Sequence, residues 1–272
     1  MHWIDLTIIF IFLAGFSLYG IWQSRFNESS EDYFLGGRNL PWPVAMLSIV
    51  ATETSVLTFI SIPGLAYRGD WFFLQLAIGY ILGRILVSLI LLPQYFKSGV
   101  TSIYEVIGHK FGVEIQKVAS GVFLVTRILA DGVRFLATAV VVQVITGWSL
   151  SSAVMIIGTV TLVYTLSGGI RTIVWVDSIQ FILYLFGGIA SIIIVLNHLD
   201  QSLFEAIPIL AEQGKLTIFN LEGNFIKDPY YFISAIVGGV FLSFSSHGVD
   251  YMMVQRVLGT KDLAAARKAM VG

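Results

Sequence analysis

The sequence predicts an all-α membrane protein with about seven transmembrane helices. Three observations carry the prediction. Hydrophobic residues make up 56% of the 272 positions and charged residues 12%, whereas a soluble domain is about a quarter charged. Seven apolar runs follow one another, most of them long enough to cross ~30 Å of hydrocarbon as a helix. Lysine and arginine crowd into alternate loops, the bias that orients multi-pass proteins.

In order, the spans are Ile4–Trp22, Val44–Ala66, Trp71–Tyr95, Val118–Thr146, Ser151–Gly168, Ile173–Leu196 and Phe232–Val254. The first has no basic leader and no small-residue cleavage pattern, so it reads as a span and not as a signal peptide. In the second, Pro63-Gly64 is expected to close the helix. Tyr67–Asp70 and Gly147–Leu150 are tight turns, and Ser167-Gly168-Gly169 folds spans five and six into a hairpin. The longest connection, Asn197–Tyr231, is acidic and amphipathic and is expected to hold a short surface helix. Loops after spans one, three, five and seven hold Arg25, Arg38, Lys97, Lys110, Lys117, Arg171, Arg256, Lys261, Arg267 and Lys268. The opposite side holds only Arg68, Lys215 and Lys227. This asymmetry places the amino terminus outside and the loop after span seven in the cytoplasm; the membrane is expected to be the plasma (inner) membrane.

Several function classes drop out. There is no cysteine, hence no disulfide framework and no thiolate metal site. A net charge of −1 gives no reason to expect nucleic acid. No G-x-x-x-x-G-K-[ST], H-E-x-x-H or G-x-S-x-G run is present, so nothing points to ATP hydrolysis or covalent catalysis. The chain does not read as an enzyme.

What chemistry there is lies in polar residues inside the spans. Span two carries Ala51-Thr52-Glu53-Thr54-Ser55, then Thr58 and Ser61. On an unbroken helix Thr54, Thr58 and Ser61 would stack on one face. Their hydroxyls, and carbonyls freed by local unwinding, are hard oxygen donors suited to a small hard cation. The same residues fit interhelical hydrogen bonding equally well. Glu53 has no partner close in sequence. Span four places Arg127, Asp131 and Arg134 on one face with positive charge in excess. That pattern reads either as a buried ion-pair network or as an Arg134 that meets an anionic solute group while Asp131 pairs with Arg127. Span seven places Ser243, Ser246, His247 and Asp250 on one face. There His247 reads as a hydrogen-bonded packing residue and Asp250 as a solvated or gating residue near the cytoplasmic end. Asp177 reads either as an attractor of cations or as the partner of Arg171.

Asp32-Tyr33-Phe34-Leu35-Gly36-Gly37-Arg38 with Leu40-Pro41-Trp42, Leu166-Ser167-Gly168-Gly169-Ile170 with Trp175-Val176-Asp177-Ser178-Ile179-Gln180, and Gln255-Arg256 resemble signatures of the sodium:solute symporter family. That family includes transporters of glucose, proline, iodide, pantothenate and sialic acid. The resemblance implies a partial leucine-transporter-type fold of five-plus-five inverted repeats with one extra leading helix. Residues 4–22 are then the leading helix, 44–196 the first repeat and 232–272 the start of the second, all in one transmembrane domain spanning 1–272. Sodium and solute would bind where the first helix of each repeat is broken. The resemblance assigns sodium to the backbone carbonyls of Ala51 and Thr54, beside Ser55, and the sodium path to Asp177. Sugar-binding positions of galactose carriers fall on Thr58, Ala77, Tyr80 and Ser243. Ala77 offers no side-chain hydrogen bond, so sugar recognition of that type is not expected. Arg134 and Ser246 complete the solute candidates.

The function implied is sodium-coupled symport of a small organic solute or anion by alternating access, with sodium co-transported and no organic cofactor. The chain reads as the amino-terminal part of a longer protein. Its partners are the lipid bilayer and the remaining carboxy-terminal helices, without which it is expected not to transport. The alternative is a membrane sensor input domain built on the same fold. A channel is disfavoured, because no ring motif repeats.

Overall fold

The computed structural model describes residues 3–100, 102–199 and 202–272, and every regular element among them is helical. α1 (Trp3–Gln23) packs along α9 (Leu150–His198). The contact is close because Gly20 carries no side chain: a Cβ there would lie 2.8 Å from the backbone of Tyr164. α2 (Ser30–Leu35) starts with a capping box, in which Ser29 Oγ accepts from the Asp32 amide and the Asp32 carboxylate accepts from the Ser29 amide. Gly36 and Gly37 end it in the left-handed conformation that glycine tolerates best.

The second predicted span is two helices, α3 (Trp42–Glu53) and α4 (Val56–Arg68), bent by 63° at Thr54-Ser55. The expected stop at Pro63-Gly64 does not occur. α4 runs through Pro63 to Arg68, since a membrane helix tolerates an interior proline where the freed backbone group is satisfied otherwise. The bend also overturns the single face expected for Thr54, Thr58 and Ser61, because Thr54 belongs to the end of one helix and Thr58 to the first turn of the next.

α5 (Leu74–Ile90) and α6 (Leu92–Ser98) make the third span, and α7 (Ile103–Phe111) is a short amphipathic helix in the loop beyond it. α8 (Val113–Thr146) begins earlier than its apolar run. In α9 the chain breaks at Gly169, whose φ of 63° and ψ of −165° are open only to glycine. The predicted surface helix is α10 (Leu203–Glu212), with Ser202 and Glu205 as its capping box. Its connection docks on the start of α5: Gln75 is fully buried, donating to the carbonyls of Phe72 and Tyr230 and accepting from the Asn220 amide.

The seventh span is not one continuous helix. α11 (Phe232–Ser243) runs into a single π-helical turn, Phe244–Val249. The chain restarts as α12 (Tyr251–Leu258), capped by the Asp250 carboxylate, and ends in α13 (Leu263–Val271). α11 lies tightly on α5 at facing glycines. A Cβ on Gly79 would collide with the carbonyl of Ile236, and one on Gly239 would reach 2.6 Å from that of Leu76. Among the described residues five helices are long and apolar enough to cross a membrane, or six with the bent α3–α4 pair taken as one span.

The buried core sits at one end. Ala45, Ile49, Val87, Leu92, Met253, Val257, Ala266 and Met270 close the junction of α3, α5, α6, α12 and α13. Leu35, Tyr95, Ile103, Val254 and Leu258 extend it. By contrast α8 and α9 expose apolar side chains along their length, such as Val122, Leu129, Phe186 and Ile193. Such faces suit hydrocarbon as solvent.

Candidate functional site

The site is built on the two breaks. At the α3–α4 bend the Ser55 amide turns to Thr58 Oγ1 (3.4 Å) and Thr58 returns the contact to Ser55 Oγ (3.4 Å), capping α4. That amide therefore does not close the helical ladder onto the Ala51 carbonyl. The last carbonyls of α3 are left without intrahelical donors, as at any helix end. Ala51, Thr54 and Ser55 together line a cavity of about 360 Å³, whose far wall is Gln180, Phe181 and Tyr184 of α9.

Asp177 lies one turn before that wall. Its carboxylate accepts from Ser48 Oγ (2.7 Å) and from Arg256 Nη2 (2.9 Å), and Arg256 Nε also donates to Ser48 Oγ. The partner expected for Asp177, Arg171, is not the one it takes. Arg256 is only 3% exposed and reaches Asp177 from α12, across the α3–α9 seam. The same end of the molecule gathers all three signature stretches. Tyr33 Oη donates to the Leu166 carbonyl (3.1 Å), Gln255 Nε2 to the Phe34 carbonyl (2.6 Å), and the Leu40 amide to the Gly259 carbonyl (2.9 Å). Gly169 admits this closure, since a Cβ there would stand 2.7 Å from the Tyr33 carbonyl.

On the other side of the bend is a second cavity of about 610 Å³. Thr54, Thr58, Ala77, Tyr80, Arg134 and Ser246 all line it, so the structure brings these sequence candidates together. Ser243 is not among its lining residues. It is fully buried against Gly83, because the glycine on α5 leaves room only for the serine hydroxymethyl group.

Sequence reasoning missed a charged cluster that reaches the cavity through Glu53. Glu53 pairs with Arg84 of α5, and His247 Nε2 lies 2.8 Å from Glu53 Oε1. His247 Nδ1 in turn meets Ser246 Oγ at 2.8 Å. One carboxylate thus ties the α3 end to α5 and to the π-helical turn. Buried charges must find partners, so unassigned Arg84 and Glu53, both in apolar spans, were the available signal. Gln180 was quoted in a signature but given no role; a lone amide in an apolar run was its signal.

The excess positive charge expected on α8 is also corrected. Arg127 Nε donates to Asp131 (2.8 Å), and Arg127 Nη1 to Asp250 (3.0 Å), while Arg134 is held only at 3.8 Å from Asp131. Asp250 is therefore neither solvated nor free. It balances Arg127 and caps α12 through the Met252 amide (2.9 Å). Arg134 keeps 54% of its side chain exposed and faces the larger cavity.

The family model of the sodium:solute symporter family matches residues 33–272. The bovine sodium-coupled monocarboxylate transporter 2 is 27% identical over 262 residues, covering 96% of this chain and 42% of that protein. The human sodium/iodide cotransporter is 28% identical, covering 90% and 38%. The sodium/sialic acid symporter of Proteus mirabilis (strain HI4320) is 29% identical, covering 98% and 54%. A solved sodium-coupled sialic acid symporter, in a substrate-bound outward-open state, superposes with a TM-score of 0.89 at 26% identity, over 99% of this chain and 57% of that one. The chain thus spans about half the length of the relatives it matches.

Proposed function

From the premise that this chain belongs to the sodium:solute symporter family, we propose that it forms the sodium- and solute-binding half of a symporter for a small organic anion. The observation that carries this is the α3–α4 bend with a cavity on either side. Sodium, the co-transported ion, takes the carbonyls of Ala51 and Thr54 with Ser55 beside them. Oxygen donors of this kind suit a hard cation, and Gln180 across the cavity adds an amide oxygen. Asp177 lies along the same α3–α9 seam and marks the sodium path. Solute takes the larger cavity, with Thr58, Tyr80 and Ser246 as hydrogen-bonding groups and Arg134 on its anionic end. Ser243 supports the wall from behind.

An anion is favoured because Arg134 is the more weakly held of the two arginines that line the cavity, and guanidinium binds carboxylate in a fork. The proteins it resembles are named for a monocarboxylate, iodide and sialic acid. Seven spans follow once α9 is divided at Gly169. Its 49 residues would extend ~74 Å as one helix, far beyond a ~30 Å core. Spans two to six are the first repeat and α11 opens the inverted second, with the amino terminus outside. In the whole protein, further helices complete the sodium site and supply the half that rocks against this one. Sodium and solute then act by binding one arrangement better than the other.

The test is uptake by proteoliposomes holding the full-length protein, with and without an inward sodium gradient, for pyruvate, iodide and sialic acid against a neutral solute such as glucose. The expected result is sodium-driven uptake of an anion, with Arg134→Gln costing anion uptake at least tenfold. Equal loss for anions and neutral solutes would assign Arg134 to structure alone.

A further inference from the structure

Arg127, Arg134 and Asp250 line not one cavity but two. Besides the solute cavity they wall a second space of about 600 Å³ on the α7 side of α8. That space carries three hydroxyls, from Tyr104, Thr126 and Ser245. The solute cavity runs from the network toward the α4 end and Tyr230, whereas this one runs toward Tyr104 and Ala119, the cytoplasmic side in the topology above. The ion network thus borders two spaces, the solute cavity and an open groove beside α8, and Arg127 and Arg134 line both.

We propose that this groove is an inner station for the transported anion, reached when the anion replaces the Asp250 carboxylate on Arg127. The inference rests on the reading of an anion at Arg134. The geometry supports it in three ways. Arg134 is the loosely held outer guanidinium, and it sits two turns along α8 from Arg127, which is fully paired. Arg127 gives one donor to each of two carboxylates at 2.8 and 3.0 Å, so an incoming carboxylate or halide offers the same charge in exchange. Asp250 stands at the junction between the π-helical turn and α12, with extended backbone between the two helical segments. It moves with the α12 cap when that break changes shape. While Asp250 holds Arg127 that guanidinium is taken; when it lets go, the anion has a second cation and three hydroxyls to bind.

The test uses radioiodide as the probe, a monovalent anion that does not titrate, bound to purified full-length protein in sodium. Asp250→Asn and Asp250→Ser both keep a good cap for α12 and remove only the charge competing for Arg127. Both are expected to bind iodide about tenfold more tightly than the wild type and to lower KM and kcat for uptake together, because release from the inner station slows. Asp131→Asn frees Arg134 and one donor of Arg127 but leaves Asp250 on Arg127 Nη1, so it should tighten binding without that loss of kcat. A merely structural Asp250 would lower stability and leave the iodide affinity unchanged or weaker, and that result overturns the proposal. So would Asp250 variants that stay unfolded in saturating iodide, since the anion is claimed to replace the carboxylate. If the wild type binds iodide through Arg134 and the Asp250 variants bind it no better, only the inner station fails. If the wild type binds no anion at all, the anion reading fails and the station with it.

Discussion

Replacing Arg256 by methionine removes the only guanidinium within reach of Asp177 among the described residues. At 2.9 Å and an effective dielectric of about 20, the Coulomb attraction is roughly 6 kcal/mol before desolvation is subtracted. Desolvation of two charges offsets much of that, but with one partner gone the other charge stays buried without compensation. Breaking such a pair costs about 3–5 kcal/mol. Arg256 also donates to Ser48 Oγ and to the Met252 carbonyl, so its loss uncouples α12 from both α3 and α9. At about 2–4 °C per kcal/mol, the thermal midpoint of the full-length protein in detergent should fall by roughly 6–20 °C. The double change Arg256→Met with Asp177→Asn removes the stranded charge and should recover at least half of that. The assay is monodispersity on size-exclusion chromatography after heating, run on both singles and the double. If the double is as unstable as the two singles added together, the pair carries no coupling and the closure assigned to it is wrong.

Gly79→Ala places a methyl group against the Ile236 carbonyl and 2.8 Å from Gly239 Cα, and overpacking of this kind costs about 1–3 kcal/mol; a wild-type melting temperature would show that α5 and α11 do not cross there. Glu53→Gln leaves the largely buried Arg84 without its carboxylate and should cost about 3 kcal/mol, with Glu53→Gln plus Arg84→Met closer to the wild type in the same melting assay. The Ser202 amide and hydroxyl donate to Glu205 and hold its carboxyl below its ordinary 4.5. A depressed carboxyl stabilises the fold above its unfolded pKa and loses that contribution as pH falls through the folded one. Amide exchange in α10, corrected for intrinsic rate, should therefore rise below about pH 4.5 and be unchanged between pH 6 and 8.

Much of this was legible because membrane helices announce themselves. A hydroxyl-rich run inside an apolar span marked a polar site at Thr54-Ser55, since such residues are costly in lipid unless they face protein or water; the break there came from the family resemblance, and the single face read from the spacing was wrong. Gly169 was legible for the same reason that it is required: two adjacent glycines in an apolar run leave the helix free to turn. The π-helical turn was not legible. Its serines mark polarity, but nothing in their spacing calls for an extra residue per turn, and the close approach of Gly248 to Leu91 and Val87 is tertiary. Ser243 failed likewise, because only the structure sets Gly83 opposite it.

Charge pairing shows where sequence reasoning stops and what could have carried it further. Read one helix at a time, Asp177 had Arg171 as a neighbour, Glu53 had nothing, and α8 had an excess of arginine. Across the fold the buried and half-buried acids Glu53, Asp131, Asp177 and Asp250 meet the bases Arg84, Arg127, Arg134 and Arg256. The two sets match in number, as they must where lone charges are expensive. That balance is a property of the sequence, but which acid takes which base is not, since the partners of Asp177 and Arg256 lie 79 residues apart. Balance also says where function can sit. In a fully paired set the group open to a ligand is the one whose pair is weakest. At 3.8 Å, against 2.8 and 3.0 Å for the contacts of Arg127, the weakest pair is that of Arg134, which is why the proposal puts the solute anion there.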